Sequence, residues 1–241
     1  MGAIGNHNVV LVYLPGGGKA KAAYGASFLR TSFPNIKLVL LVGTCGAVPL
    51  IPDSHEQVVM GDVIISEGVI QHDAGRQFPT KFERDSDLLS SLGRPKPEVR
   101  SLIAKLRGWR HSEMIKQDMT DHMADLRRKS RPEAGLVCGR QSDGQKVALH
   151  FGLFASGDNV VASGTLRDRL ARKEGVVAFE TEAAGIWEDF PCVVIKGVFN
   201  HADGRGQGEF QQYAAATAAS CAKSFLSFWT PLSPGMFAHS P

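Results

Sequence analysis

Three short stretches carry residue types that could do chemistry. Glu180-Thr181-Glu182 and Asn200-His201-Ala202-Asp203 each follow an apolar run, and Pro15-Gly16-Gly17-Gly18-Lys19 follows another. A single carboxylate where a strand gives way to a helix has an ordinary use, since it stabilises the positive end of the helix dipole by ~0.3–1 kcal/mol. Two carboxylates around a threonine suggest more. An ionised Glu182 that faces a pocket can accept hydrogen bonds from the two neighbouring hydroxyls of a sugar such as ribose. Asp203 can protonate or hydrogen-bond a leaving base, or it can close an Asx-type turn, which Gly204 also favours. The triple glycine can bare backbone N–H groups for an anion at a helix start. It nevertheless misses both standard phosphate patterns. A P-loop needs glycine where Tyr13 stands and a hydroxyl residue where Ala20 stands. A dinucleotide turn needs an acidic residue closing the next strand, and 39–44 has none. A purely structural turn remains the alternative.

The elements that would position these groups follow from the apolar pattern. Residues 8–14 read as a buried strand ending in the glycine turn, 19–33 as a helix stopped by Pro34-Asn35, and 36–42 as a second strand entering a turn at Gly43-Thr44-Cys45-Gly46. Two such strands around a helix form a βαβ unit, whose parallel strands are covered on both faces. Gly61-Asp62-Val63-Ile64-Ile65-Ser66 gives a third strand. Strands near 146–156, 176–180 and 192–199 then alternate with helices near 164–172, 182–188 and 212–228. This alternation predicts an α/β fold, a three-layer sandwich around a mixed central sheet. Ligands in such sheets bind beyond the carboxyl ends of the strands. The turns at 16–18, 43–46, 156–159, 180–182 and 200–203 are therefore expected around one pocket. Charged residues dominate 78–133, where Leu102, Ile103 and Leu106 and then 114–126 suggest two amphipathic helices in an insertion at about 80–135. The domain is expected over 1–229, with a loose Pro, Ser and Gly-rich tail at 230–241.

Bulk properties exclude several classes. With 27 basic and 24 acidic side chains and no basic run interleaved with aromatics, nucleic acid is not an expected partner. The short run Arg127-Arg128-Lys129-Ser130-Arg131 reads as a solvated helix end. No apolar stretch is long enough for a membrane span, and no secretory signal opens the chain. Cys45, Cys138, Cys192 and Cys221 are widely spaced and form no zinc pattern, which fits a reducing, cytoplasmic setting with no metal.

Six ordered stretches resemble one family. These are Gly16-Gly17-Gly18-Lys19-Ala20, Val42-Gly43-Thr44-Cys45-Gly46-Ala47-Val48, Gly61-Asp62-Val63-Ile64-Ile65-Ser66, Ala155-Ser156-Gly157-Asp158, Phe179-Glu180-Thr181-Glu182-Ala183-Ala184-Gly185 and Ala202-Asp203. They are similar to nucleoside phosphorylases and methylthioadenosine/S-adenosylhomocysteine nucleosidases. Tyr213-Ala214-Ala215-Ala216-Thr217 and Arg169-Leu170-Ala171-Arg172-Lys173-Glu174-Gly175 particularly resemble the nucleosidase-like domains that open fungal proteins carrying ankyrin, tetratricopeptide or NTPase modules. The likeness spans nearly the whole chain apart from 110–145 and the tail. It implies cleavage of the N-glycosidic bond of a purine nucleoside, with Glu182 and Thr181 at the ribose and Ser156, Asn159, Val160 and Phe179 at the base. Asn200 and Asp203 would be the catalytic pair facing the purine. Gly18, Thr44 and Gly46 would hold phosphate or water. The resemblance also implies no organic cofactor, a homo-oligomer, and other domains of a larger protein as partners.

The departures from the family pattern shape the expected chemistry. Thr181 stands where the family usually has methionine, and Asn200 where its general acid is usually aspartate. A neutral amide hydrogen-bonds a purine without delivering a proton. Leu41 replaces an arginine that neutralises phosphate in many bacterial phosphorylases, and burying a dianion without a cation is costly. Hydrolysis is therefore favoured over phosphorolysis. The family normally begins with a further strand and helix that carry the carboxylate activating the attacking water, and Gly2-Ala3-Ile4-Gly5 resembles the segment after them. On this reading the first strand is absent. Three hypotheses stand side by side: a purine nucleosidase, a catalytically impaired nucleoside-sensing or assembly module, and a truncated remnant.

Overall fold

The computed structural model describes residues 1–85, 92, 95–130, 147–205 and 208–230. The expected tail lies almost entirely outside the described residues, as do Cys138 and the end of the expected insertion. A hairpin of β1 (Gly2–Ile4) and β2 (His7–Val9) is followed by α1 (Lys19–Ser32), β3 (Val39–Ala47) and β4 (Val63–Gln71). A second hairpin, β5 (Gly75–Gln77) and β6 (Phe82–Arg84), precedes α2 (Pro97–Arg107) and α3 (Trp109–Lys129). Then come β7 (Leu149–Ser156), α4 (Gly164–Glu174), β8 (Val176–Glu180), β9 (Cys192–Asn200) and α5 (Gln211–Phe228).

The β-branched and apolar runs build the mixed central sheet that the sequence predicts, and the sheet closes on itself in the order β3-β8-β7-β4-β9. Strands β4, β7 and β8 form one parallel block, and β3 and β9 form a parallel pair. Two antiparallel seams join them. At one, β4 crosses β9 from Val63↔Gly197 to Ile65↔Ile195. At the other, only the last residues of β3 meet β8, with Gly46↔Phe179 and Ala47↔Ala178. Because the second seam joins carboxyl ends, Gly46 is flanked by Phe179 on one side and Asn200 on the other. Ser156 pairs with Glu180 beside them. Four strand ends are thus gathered in one place by the pairing itself.

Helices cover the sheet through their apolar faces. Helix α1 presents Ala22, Gly25, Ala26 and Leu29, a helical spacing of small and apolar residues. Helix α4 starts at Ser163, whose hydroxyl accepts the Leu166 N–H at 3.3 Å, and ends at Gly175 in a left-handed conformation, so both termini are satisfied. Helices α2 and α3 do not rest on a finished core. Val99, Leu102, Ile103, Leu106, Ile115 and Met119 pack with Val63, Ile65, Val193, Ile195 and Phe225. At ~1.5–3 kcal/mol for each fully buried aliphatic side chain, that contribution is comparable to the stability of a whole domain. No helix among the described residues is long and apolar enough to cross a membrane.

Three expectations about elements need correction. The apolar run 8–14 is not a sheet strand: beyond Val9 it leaves its hairpin, and Leu11 and Tyr13 are 70% and 85% exposed. Among the described residues no strand offers Val10 to Leu14 an edge, and a strand without a ladder partner has no reason to persist. The stretch 43–46 is not a turn, because β3 runs straight through it with a register shift between Cys45 and Gly46. Its glycines serve close approach. A Cβ on Gly46 would lie 2.9 Å from Asn200 Oδ1, and one on Gly43 would lie 3.3 Å from Lys196 Nζ. Finally, the helix expected at 182–188 is only the 3-10 turn Ala183–Gly185. A Cβ on Gly185 would lie 2.1 Å from the Lys19 carbonyl oxygen, so this turn is pressed against the start of α1.

Candidate functional site

The gathered strand ends enclose a cavity of about 210 Å³. Of the residues expected there, Thr44, Gly46, Asn159, Val160, Phe179, Thr181, Glu182 and Asn200 line it. Cys45, His72, Val161, Glu180 and Phe199 complete the lining. Val160 stands at the rim, 76% exposed. Ser156, Gly18 and Asp203 fall outside the lining. Ser156 lies behind the wall, where its Oγ accepts the Ala184 N–H at 2.9 Å and its hydroxyl also bonds Glu180. Asp203 Oδ1 accepts the Arg205 N–H at 3.0 Å, the Asx-type turn that its neighbour Gly204 favours.

Two residues of the lining, Glu180 and Glu182, are clustered with a lysine that lies behind the cavity wall. Lys196 projects from β9 and is 3% exposed; its Nζ donates to Glu182 Oε2 at 2.8 Å and lies 3.6 Å from Glu180 Oε2. Glu180 in turn accepts the backbone N–H of Glu182 at 3.0 Å and that of Ala183 at 3.0 and 3.1 Å. It therefore acts as a staple that shapes the turn after β8. Glu182 has a different position. Its Oε1 accepts the Thr181 hydroxyl at 2.5 Å, and its side chain keeps 16% exposure toward the cavity, against 1% for Glu180. Each Glu182 oxygen retains a lone pair for an incoming hydroxyl.

The cluster also sets protonation. Burial pushes the Glu180 carboxyl above its ordinary range against the pull of Lys196. Burial acts in the same sense on Glu182, but there the Lys196 ammonium and the Thr181 hydroxyl prevail and hold the carboxyl below its usual value. Burial works against a charged Lys196, yet Glu180 and Glu182 keep its pKa above the ordinary lysine value. Glu182 is consequently an anion with a permanent counter-charge behind it. Burial pushes Cys192 up to about 12 and Cys45 higher still, so neither thiol is a nucleophile near neutral pH.

A second polar group braces the mouth. Lys19 Nζ donates to Asp73 Oδ1 at 2.8 Å, Asp73 Oδ2 accepts the Asp158 N–H at 2.7 Å, and Asp158 Oδ1 accepts the Lys19 N–H at 2.8 Å. Three loops are thereby tied together. The N-terminus of α1, where Gly18 would greet an anion, is already filled by the Asp158 carboxylate. Beside it, burial lowers the His72 pKa and keeps the ring neutral at neutral pH. A Cβ on Gly17 would lie 3.1 Å from Glu182 Oε1, so the glycine loop passes directly over the Glu182 carboxylate.

A model of the phosphorylase superfamily matches residues 1–227. The chain belongs to that superfamily. The 5'-methylthioadenosine/S-adenosylhomocysteine nucleosidase of Helicobacter pylori superimposes with a TM-score of 0.60 at 20% identity, covering 88% of this chain and 76% of that one. An inhibitor-bound nucleosidase of the same type from S. pneumoniae gives 0.57 at 19% identity over 88% and 77%. Futalosine hydrolase of H. pylori gives 0.53 at 19% identity over 88% and 76%. A nucleotide-binding leucine-rich repeat-like protein of Hyaloscypha variabilis is 32% identical over 99% of this chain. The chain spans 27% of that relative's length.

Within this superfamily fold, Lys196 is the site residue that sequence reasoning passed over. The signal was present, since a lone lysine inside the apolar run 192–198 must be paired if the strand is buried. Its partners lie 14 and 16 residues away on another strand end, which no local pattern reveals. The Lys19, Asp73 and Asp158 group was equally hidden, because its members come from three distant loops.

Proposed function

We propose that this domain binds a purine nucleoside and opens its N-glycosidic bond with water. The observation that carries the proposal is Glu182, ionised, backed by Lys196 and open to a cavity whose other walls are Phe179, Phe199 and the amide of Asn200. The ribose hydroxyls donate to the two Glu182 oxygens, and the base lies toward Asn159, Val160 and Asn200. As the bond between the anomeric carbon and the base nitrogen breaks, its electron pair leaves with the base and positive charge grows on the sugar. The Glu182 carboxylate sits on the side where that charge develops. Water then adds to the anomeric carbon, and its released proton ends on the departed base or in solvent.

Phosphate fits less well as the nucleophile. Among the described residues lining the cavity the cations are absent, Lys196 behind them is engaged by two carboxylates, and the α1 N-terminus is filled by Asp158. Leu41 is buried in β3 and offers no charge. A second reading, binding without turnover, is favoured by one feature: Asn200 holds no proton to give a leaving base. An aspartate-to-asparagine variant of the H. pylori nucleosidase holds 5'-methylthioadenosine in its active site, which accords with an amide supporting occupancy.

Incubation with inosine, adenosine and 5'-methylthioadenosine, followed by chromatography for free base, tests the proposal. Base release that drops at least ~100-fold in Glu182→Ala is the expected result. Nucleoside binding by calorimetry with no base above that control would establish the second reading. Absence of both binding and release would overturn the first and second together.

A further inference from the structure

The cavity encloses about 210 Å³, less than the roughly 300–1,000 Å³ that small-molecule sites usually offer. A nucleoside needs one of its walls to give way, and most of them are fixed. Thr44, Gly46, Phe179, Phe199 and Asn200 stand on strands of the closed sheet. The stretch 159–161 follows Asp158, which Asp73 and Lys19 tie down. The stretch 10–17 is held differently. Among the described residues none of its backbone groups is paired, and of residues 10–14 only Leu14 packs against a core cluster. Leu14 sits where Gly25 of α1 has no side chain, since a Cβ there would lie 2.8 Å from Leu14 Cδ2. The chain is anchored on either side, by the His7 ring against the Leu226 carbonyl at 2.8 Å and by the Lys19 N–H on Asp158 at 2.8 Å. Gly16 at φ 150 and Gly18 at φ 109 flank Gly17 with backbone that glycine adopts freely. Gly17 roofs Glu182: a Cβ on it would be 3.1 Å from Glu182 Oε1 and 3.1 Å from Thr181 Oγ1, while Lys196 holds the other oxygen, Oε2. None of Gly16, Gly17 and Gly18 lines the cavity, which ends at Glu182 beneath them.

We propose that the glycine strap 15–18 is a gate: it turns on its glycines and lifts off Glu182 to let the sugar reach the carboxylate, and Leu14 seated on Gly25 is the peg that keeps it shut. The inference rests on the nucleoside reading of the cavity. Lifting the strap breaks no backbone hydrogen bond, so what opening gives up is the packing of Leu14. With the strap raised, the cavity runs on past Glu182 and gains room for a sugar at the carboxylate. A ligand that enters only the open form associates at a rate scaled by the fraction of molecules that are open. Weakening the peg therefore speeds entry without loosening the site, the reverse of what damage to a purely structural loop does.

Stopped-flow fluorescence on the intact chain tests this with formycin A and formycin B, fluorescent analogues of adenosine and inosine whose carbon–carbon link to the sugar resists hydrolysis. Leu14→Ala is expected to raise the association rate at least about fivefold with no loss of affinity. Gly25→Ala, whose methyl group meets Leu14, unseats the same peg from the helix side and serves if the first variant does not fold. In a Gly17→Cys/Thr181→Cys pair the two side chains lie within reach of a disulfide. Oxidation should then slow formycin association at least about tenfold, and a reductant should restore it. If the reduced pair binds no formycin, the two peg variants decide alone. An association rate unchanged or lowered in both peg variants overturns the gate, as does a cross-linked protein that takes up formycin as fast as its reduced form. Formycin binding with rates indifferent to these changes leaves the nucleoside reading standing without the gate. Absence of binding in the unaltered protein and in both peg variants overturns the two together, whereas binding in the peg variants alone supports the gate.

Discussion

Buried carboxylates sit at both ends of the closed sheet, and they serve different ends. Where β4 and β7 begin, Asp62 is fully buried and accepts the Val59 N–H at 2.9 Å, the Ala148 N–H at 2.8 Å and His150 Nε2 at 3.2 Å. His150 is itself 3.4 Å from Glu56 through Nδ1. All of these donors come from the polypeptide, and their work is to hold the entry to one strand against the entry to the next. Where β7, β8, β3 and β9 end, Glu180 plays that same stapling part, but Glu182 beside it keeps lone pairs turned to a cavity and a lysine at its back. Burial of an acid is therefore no mark of function by itself. What distinguishes Glu182 is an unfilled acceptor valence together with a counter-charge that does not occupy it fully.

Removing the counter-charge is the harshest way to test that difference. Lys196→Met leaves Glu180 and Glu182 without their cation, and breaking a buried ion pair from one side typically costs ~3–5 kcal/mol. Urea unfolding should register a loss of this size. A loss below about 1 kcal/mol would mean that Glu180 is protonated in the native state and that the cluster is not held by charge. At the other end, Asp62→Asn keeps one acceptor and forfeits the rest, for an expected loss of ~1–3 kcal/mol. The telling readout is its separation from ligand binding: nucleoside affinity in Asp62→Asn should match the unaltered protein. A parallel fall in affinity would erase the distinction between the two ends.

The two ends were not equally legible in the sequence. The helix at 19–33, the mixed sheet and the convergence of strand ends follow from apolar runs closed by glycine and polar residues, and such signals are local. Glu182 was legible for the same reason, as the second carboxylate after a strand. Lys196 was not, because its meaning depends on Gly43 across β3 and on Glu180 and Glu182 on a different strand, all brought near only by closure of the sheet. The run 8–14 misled in the opposite direction: its composition is that of a buried strand, but strandness is a property of a pair, and here the partner edge is taken by others. Gly43 and Gly46 look like a turn in sequence for a related reason, since a glycine placed for close approach and one placed for a bend are the same letter.

A finer test of the comparison uses pH. The Glu182 carboxyl has a folded value below its ordinary 4.5, because Lys196 and Thr181 outweigh burial. A carboxylate with a depressed folded value contributes fully above its unfolded value and loses that contribution as pH falls through the folded one. Inosine affinity governed by Glu182 should therefore stay level from neutral pH down to about 4.5 and weaken only below it. Lys196→Gln keeps a hydrogen-bond donor toward Glu182 and discards the positive charge, so burial is opposed by hydrogen bonds alone and the acid limb should move toward neutral pH. Coincident limbs in the two proteins would show that the carboxylate is held ionised by its hydrogen bonds alone. In that event the contrast between the ends of the sheet would rest on access to the cavity and not on charge.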